Sequence, residues 1–154
     1  MSLVIAFIGS DGAVIAGDLR EILMAGPDAA ICRFEQELYS GQIRTDSDLK
    51  KRAVENGIIL HLRDDKCKLS DHEGILFGEV AESEGNKVRR RRLCVACGTY
   101  AIIDIDEDES VLKQRGGGGT FVILGNEITK RIAHAMIQSE WKSGTFPDAV
   151  RLII

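Results

Sequence analysis

The chain has 154 residues, 44% of them hydrophobic and 29% charged, the make-up of one globular domain with a real core rather than of a disordered segment. Its net charge of −4 argues against nucleic acid as the main partner. No apolar run reaches the roughly eighteen residues of a membrane-spanning helix, and the N-terminus lacks the basic region and cleavage site of a signal peptide, so the expectation is a cytoplasmic protein, not membrane-embedded.

Leu3 to Ile8 is a continuous apolar run with β-branched residues, which predicts a strand buried on both faces. Ser10-Asp11-Gly12 supplies a turn, and Ala13 to Gly17 predicts the partner strand of a hairpin. Asp18 to Gly26 is less regular, Pro27 stops any helix before it, and residues 28–40 show no clean period. Asp46 to Asn56 predicts a helix capped by Asp46 or Ser47 and ended by Asn56-Gly57. A strand is expected over 58–63, followed by a polar stretch from Asp64 to Gly74.

Two long strands, 75–82 and 88–105, joined at Ser83-Glu84-Gly85-Asn86, predict a hairpin that projects from the core. The acidic run 106–109 reads as a solvated loop and the four glycines at 116–119 as a mobile one. Thr120 to Leu124 predicts one more buried strand. Glu127 to Ser143 is the best helix of the chain, with Ile128, Ile132, Ala135 and Met136 at helical spacing and Gly144 to end it. Pro147-Asp148 opens a last helix. The apolar end at Ile154 is unusual for a natural terminus and suggests a longer parent chain, of which 1–154 is a single N-terminal domain.

Residues 2–20, SLVIAFIGSDGAVIAGDLR, resemble the opening of proteasome β subunits, whose mature chain begins with a nucleophilic threonine followed by a strand, a turn and a second strand that ends in an aspartate and arginine. The family's catalytic aspartate lies sixteen residues after the nucleophile; Asp18 lies sixteen after Ser2, without a gap. More specifically the chain is similar to the connectases of methanogenic archaea, proteasome β relatives that cut a defined peptide motif and rejoin the acyl part to another chain. Gly125-Asn126, before the long helix, stands where proteasome relatives carry a glycine-rich turn.

The resemblance implies an α+β fold of the N-terminal-nucleophile (Ntn) hydrolase type, an αββα sandwich truncated here at its C-terminus, with the rest expected in the longer parent chain. It implies a peptidase or transpeptidase in which Met1 is removed, Ser2 attacks a peptide carbonyl, and its own α-amine, of pKa about 8 when unperturbed, serves as base. Asp18 orients that assembly. The family's lysine, sixteen residues beyond the aspartate, falls on Phe34; Arg33, one residue short, supplies the positive charge instead but cannot shuttle a proton. Arg20, Gly125 and Asn126 are the substrate-binding candidates. The implied partner is a peptide or protein substrate, by resemblance a subunit of the membrane methyltransferase complex, and the chemistry needs no cofactor and no metal.

Two alternatives stand beside this reading. A non-catalytic binding module on the same fold would use the 75–105 hairpin and the basic run Lys87, Arg89, Arg90, Arg91 and Arg92 to hold an acidic partner; a retained Met1 favours it. Cys94 and Cys97 form one C-x-x-C pair, which gives two metal ligands at most and needs Cys67 with His61 or His72 to reach four. His134 and Trp141 on the long helix read as packing residues.

Overall fold

The computed structural model describes residues 2–84, 87–107, 109–141 and 144–154. Met1, Gly85 and Asn86 of the expected turn, Asp108 of the acidic run, and Lys142 and Ser143 at the expected helix end lie outside them. Among the described residues the fold is mixed α+β, with four helices and antiparallel sheets. β1 (Leu3–Ile8) is the centre of a three-stranded sheet, paired with β2 (Ala13–Gly17) on one side and β10 (Thr120–Gly125) on the other. The remaining strands are β3 (Glu21–Ala25), β4 (Ile59–Arg63), β5 (Leu69–His72), β6 (Ile75–Glu84), β7 (Lys87–Ala96), β8 (Thr99–Ile105) and β9 (Ser110–Gly117). β3 and β4 form a separate hairpin, and β5 to β9 form a five-stranded meander in chain order.

The two larger sheets face each other. Val4, Ala6 and Ile8 of β1 meet Val80, Leu93 and Val95 of β6 and β7 in one buried cluster, where alternate residues of each strand point inward. The other face of β1 turns Phe7 towards Phe121, Trp141 and Ala149. That face is covered by α3 (Glu127–Glu140), which packs on β10, and α4 (Phe146–Ile153), which packs on β1 and β2. Trp141 ends α3 and lies edge-on to Phe121, a packing role.

The expected projecting hairpin over 75–105 is instead three strands, β6, β7 and β8, because Cys97-Gly98 turns the chain with Gly98 at φ 74°. Its inward residues Val80, Leu93 and Val95 sit in the core. Among the described residues the helices pack chiefly on β1, β2, β4 and β10.

A second lobe hangs between β3 and β4. α1 (Asp28–Tyr39) starts after Pro27, and α2 (Asp46–Glu55) is capped by the Thr45 side chain on Asp48 N, rather than by Asp46 or Ser47. Ala30 and Phe34 of α1, Leu49 and Ala53 of α2, and Ile22, Met24 and Ile58 form its own core. Among the described residues no helix is long and apolar enough to cross a membrane.

Candidate functional site

The hairpin register brings the two ends of the first motif together. Val4 pairs with Gly17, so Asp18 leaves β2 beside the start of β1. Asp18 N donates to Leu3 O at 3.1 Å, and Asp18 Oδ1 accepts from Leu3 N at 2.7 Å. The carboxylate thus holds the backbone immediately after Ser2. Ser2 is 2% exposed, and its Oγ is buried with no hydrogen-bond partner among the described residues. A buried hydroxyl left unpaired costs about 1–3 kcal/mol, so an orphan at the start of the central strand points to a site rather than to scaffold.

The basic partner of Asp18 is a residue that the sequence reading passed over. Lys68 stands just before β5, and its side chain is 1% exposed. Its Nζ donates to Asp18 Oδ1 at 2.7 Å, Asp18 O at 2.7 Å and Arg20 O at 2.6 Å. An ammonium has three donors, and here each has an acceptor, which is the condition under which a buried charge is tolerated. Arg33 is placed elsewhere: it is exposed on α1, its Nε donating to Ala29 O at 3.4 Å, while Phe34 is fully buried in the core of the lobe. The α1–α2 lobe separates Asp18 from its cation, so a spacing of sixteen residues lands inside that lobe.

Arg20 is engaged outside the cavity that Ser2 lines. It bridges Asp46 at the start of α2, at 2.5 Å, and Asp64 after β4, at 3.0 Å, and so ties the lobe to the loop that carries Lys68. The hydrogen bond to Asp46 raises its already high pKa.

Ser2 lines a cavity of about 390 Å³. The lobe gives Ile22, Met24, Ile31 and Glu35; β6 and β7 give Ala81, Arg89 and Arg91; the rest is the chain from Gly125 into the first turn of α3. Gly125 has φ 152°, and a Cβ there would lie 2.7 Å from Ser2 O, so only glycine fits. Asn126 caps α3: its Oδ1 accepts from Thr129 N at 2.8 Å, and its Nδ2 donates to Tyr39 Oη at 2.6 Å. Tyr39 Oη is also 3.0 Å from Thr129 Oγ1, so α1 is latched to the start of α3. Gly125 and Asn126 therefore share the cavity with Ser2, whereas Arg20 and Arg33 do not line it. A hollow of about 440 Å³ beside α2, lined by Gln42, Asp48 and Arg52 among others, contains none of these groups.

The charges around the cavity are ordered by strand alternation. Arg91 is on the inner face of β7 and makes a two-pronged contact with buried Asp104, at 2.6 and 3.1 Å, which holds that carboxyl below its usual range. Arg90 and Arg92 lie on the outer face and pair with Glu79. Burial pushes the Glu35 carboxyl up, opposed by the chain's terminal ammonium, and burial pushes up the Tyr39 hydroxyl against its bonds to Thr129 and Asn126. Lys130 hydrogen-bonds Glu127 and holds its carboxyl low.

The cysteines stand apart from this centre. Cys94 is half-buried on β7, its thiol pushed up by burial, and Cys97 donates to Ser10 O at 3.0 Å. Among the described residues no group of His, Cys, Asp and Glu is arranged to hold a metal ion.

A family model described as Connectase MJ0548-like, N-terminal domain, matches residues 1–154. No curated protein matches the chain.

Proposed function

Because this chain belongs to the connectase family, in its Connectase MJ0548-like N-terminal domain, we propose that it is a protein ligase that works as an N-terminal-nucleophile enzyme, through an acyl-ester on Ser2. The observation that carries the reading is the orphaned, buried Ser2 Oγ at one end of a cavity, beside a backbone fixed by Asp18 and a buried Lys68.

Removal of Met1 frees the α-amine of Ser2. The hydroxyl attacks a peptide carbonyl, and the amine takes its proton and passes it to the departing amine. Asp18 and Lys68 are positioning residues. Lys68 is fully engaged by three acceptors, so it holds a fixed positive charge close to the first strand, which favours an unprotonated amine and the negative charge that develops during attack. This assigns to Lys68 the part that the sequence reading gave to Arg33.

The start of α3 supplies the remaining element. A helix start leaves its first N–H groups without intrahelical acceptors and carries the positive end of the helix dipole. Asn126 takes the N–H of Thr129, while Glu127 and Ile128 line the cavity, where their N–H groups suit the oxyanion of the tetrahedral intermediate. An incoming amine then displaces Ser2 and leaves the acyl part on a new chain; water in its place gives hydrolysis.

The test mixes the full chain, Met1 removed, with a peptide carrying the motif that connectases cut and a second peptide with a free amine. A fused peptide that Ser2→Ala abolishes supports the reading. Binding of the first peptide without cleavage or fusion favours the non-catalytic binding module instead.

A further inference from the structure

The cavity beside Ser2 has two chemically different walls. Arg89, Arg91 and Lys130 stand on β7 and α3, and Glu35 stands on α1 of the lobe. Arg91 and Lys130 are engaged, by Asp104 and Glu127. Glu35 is different. It is half-buried, and among the described residues its carboxylate has no salt bridge and no hydrogen bond. Partial burial makes its ionised form costlier than in open water, so an arriving positive charge is favoured there. Glu35 lines the same cavity as Ser2, so a positive charge entering that cavity meets its carboxylate.

We propose that Glu35 is the residue that selects an amine over water, by holding the ammonium of the incoming chain against the Ser2 acyl-ester. The inference rests on the acyl-ester reading. The incoming nitrogen gives one proton to the Glu35 carboxylate, and from there to solvent. It then attacks the ester carbon: the N–C bond forms, the C–O bond to Ser2 breaks, and a second proton from the nitrogen returns to Ser2 Oγ, leaving the hydroxyl as it began. Water carries no charge for Glu35 to hold, so the carboxylate gathers an amine, and not water, beside the ester. The hydrophobic neighbours Ile22, Met24 and Ile31 keep the local dielectric low and strengthen the attraction.

The experiment compares the full chain, Met1 removed, with Glu35→Gln and Glu35→Asp. Each is acylated with the motif peptide and offered triglycinamide at rising concentration. Mass spectrometry reads the rate of adduct formation and the ratio of fused to hydrolysed product. For Glu35→Gln, adduct formation is expected to stay within about twofold, while the triglycinamide needed for half-maximal fusion rises about tenfold or more, the loss of one charge-assisted bond; Glu35→Asp falls between. An unchanged product ratio in Glu35→Gln overturns the inference and leaves the acyl-ester reading standing. A fall in adduct formation with the ratio unchanged also overturns it, since Glu35 then serves Ser2 rather than the amine. No adduct on the parent chain overturns the acyl-ester reading and this inference with it.

Discussion

Lys68 Nζ lies 2.7 Å from Asp18 Oδ1, across fifty residues of sequence and around a whole helical lobe. The two side chains are unequally covered, at 1% and 39% exposure. That difference gives an asymmetry that mutation can read. Removing Asp18 strands a buried ammonium, whereas removing Lys68 leaves a carboxylate that water reaches. Asp18→Ala is therefore expected to cost about 3–5 kcal/mol of stability, and Lys68→Met about 1–2 kcal/mol, by denaturant melts of the two variants. Equal costs would contradict the burial assigned to Lys68.

Arg33 is a surface residue whose guanidinium donates to the Ala29 carbonyl one helical turn away. Arg33→Ala is expected to change stability by less than about 0.5 kcal/mol and to leave the rate of acyl-enzyme formation as it was. A hundredfold loss of acylation in this variant would return the cation's role to Arg33.

Gly125→Ala introduces a Cβ 2.7 Å from the Ser2 carbonyl oxygen, at a φ that L-residues avoid. Gly125 is paired with Leu3 in the sheet and Ser2 immediately precedes Leu3, so the backbone at the contact cannot yield cheaply. A loss of about 2–3 kcal/mol is expected, with acylation falling further than stability because the displaced atom belongs to the nucleophile's residue. Thermal melts and adduct rates on one preparation would separate the two effects.

Tyr39→Phe removes the latch between α1 and α3, taking the partners of Asn126 Nδ2 and Thr129 Oγ1 together. About 1–2 kcal/mol is expected to be lost. Hydrogen exchange should rise in α1 before it rises in β1, because only the lobe depends on that contact. Uniform protection would mean that the latch is not what seats the lobe.

Glu35 has a pH signature. Burial puts its folded pKa above the unfolded value, so the ionised group subtracts stability above that unfolded value of about 4.3, and the penalty disappears as pH falls below it. Glu35→Gln is accordingly expected to melt higher than the parent at pH 7, with the gap closing by about pH 4. A gap that widens towards acid would reverse the sign of the assigned shift.

Ser2 and Asp18 were legible in the sequence because they bracket one short hairpin, where the residue count fixes the register. Gly125 and Asn126 were legible as the start of the longest periodic segment. Lys68 was not, because a count carried across from the proteasome pattern fails once α1 and α2 intervene. Its one local signal was weak: a lysine next to Leu69 at the edge of a polar stretch. α1 did carry a signal, since Ala30, Phe34 and Leu38 recur every fourth residue after Pro27. The run 88–105 hid a turn because Cys97-Gly98 lacks the Asn or Asp that marks most two-residue hairpins. β9 was masked by its glycines: Gly116 is strand rather than mobile loop because the Tyr100 ring fills the space a side chain would take.

The most direct measurement is the intact mass of the Met1-processed full chain after exposure to the motif peptide, with the adduct mapped by fragmentation. The proposed centre gives a gain equal to the acyl fragment, located on Ser2, absent in Ser2→Ala and slowed at least a hundredfold in Lys68→Met. An adduct on another residue, or one that forms as fast without Lys68, would contradict the centre built from Ser2, Asp18 and Lys68.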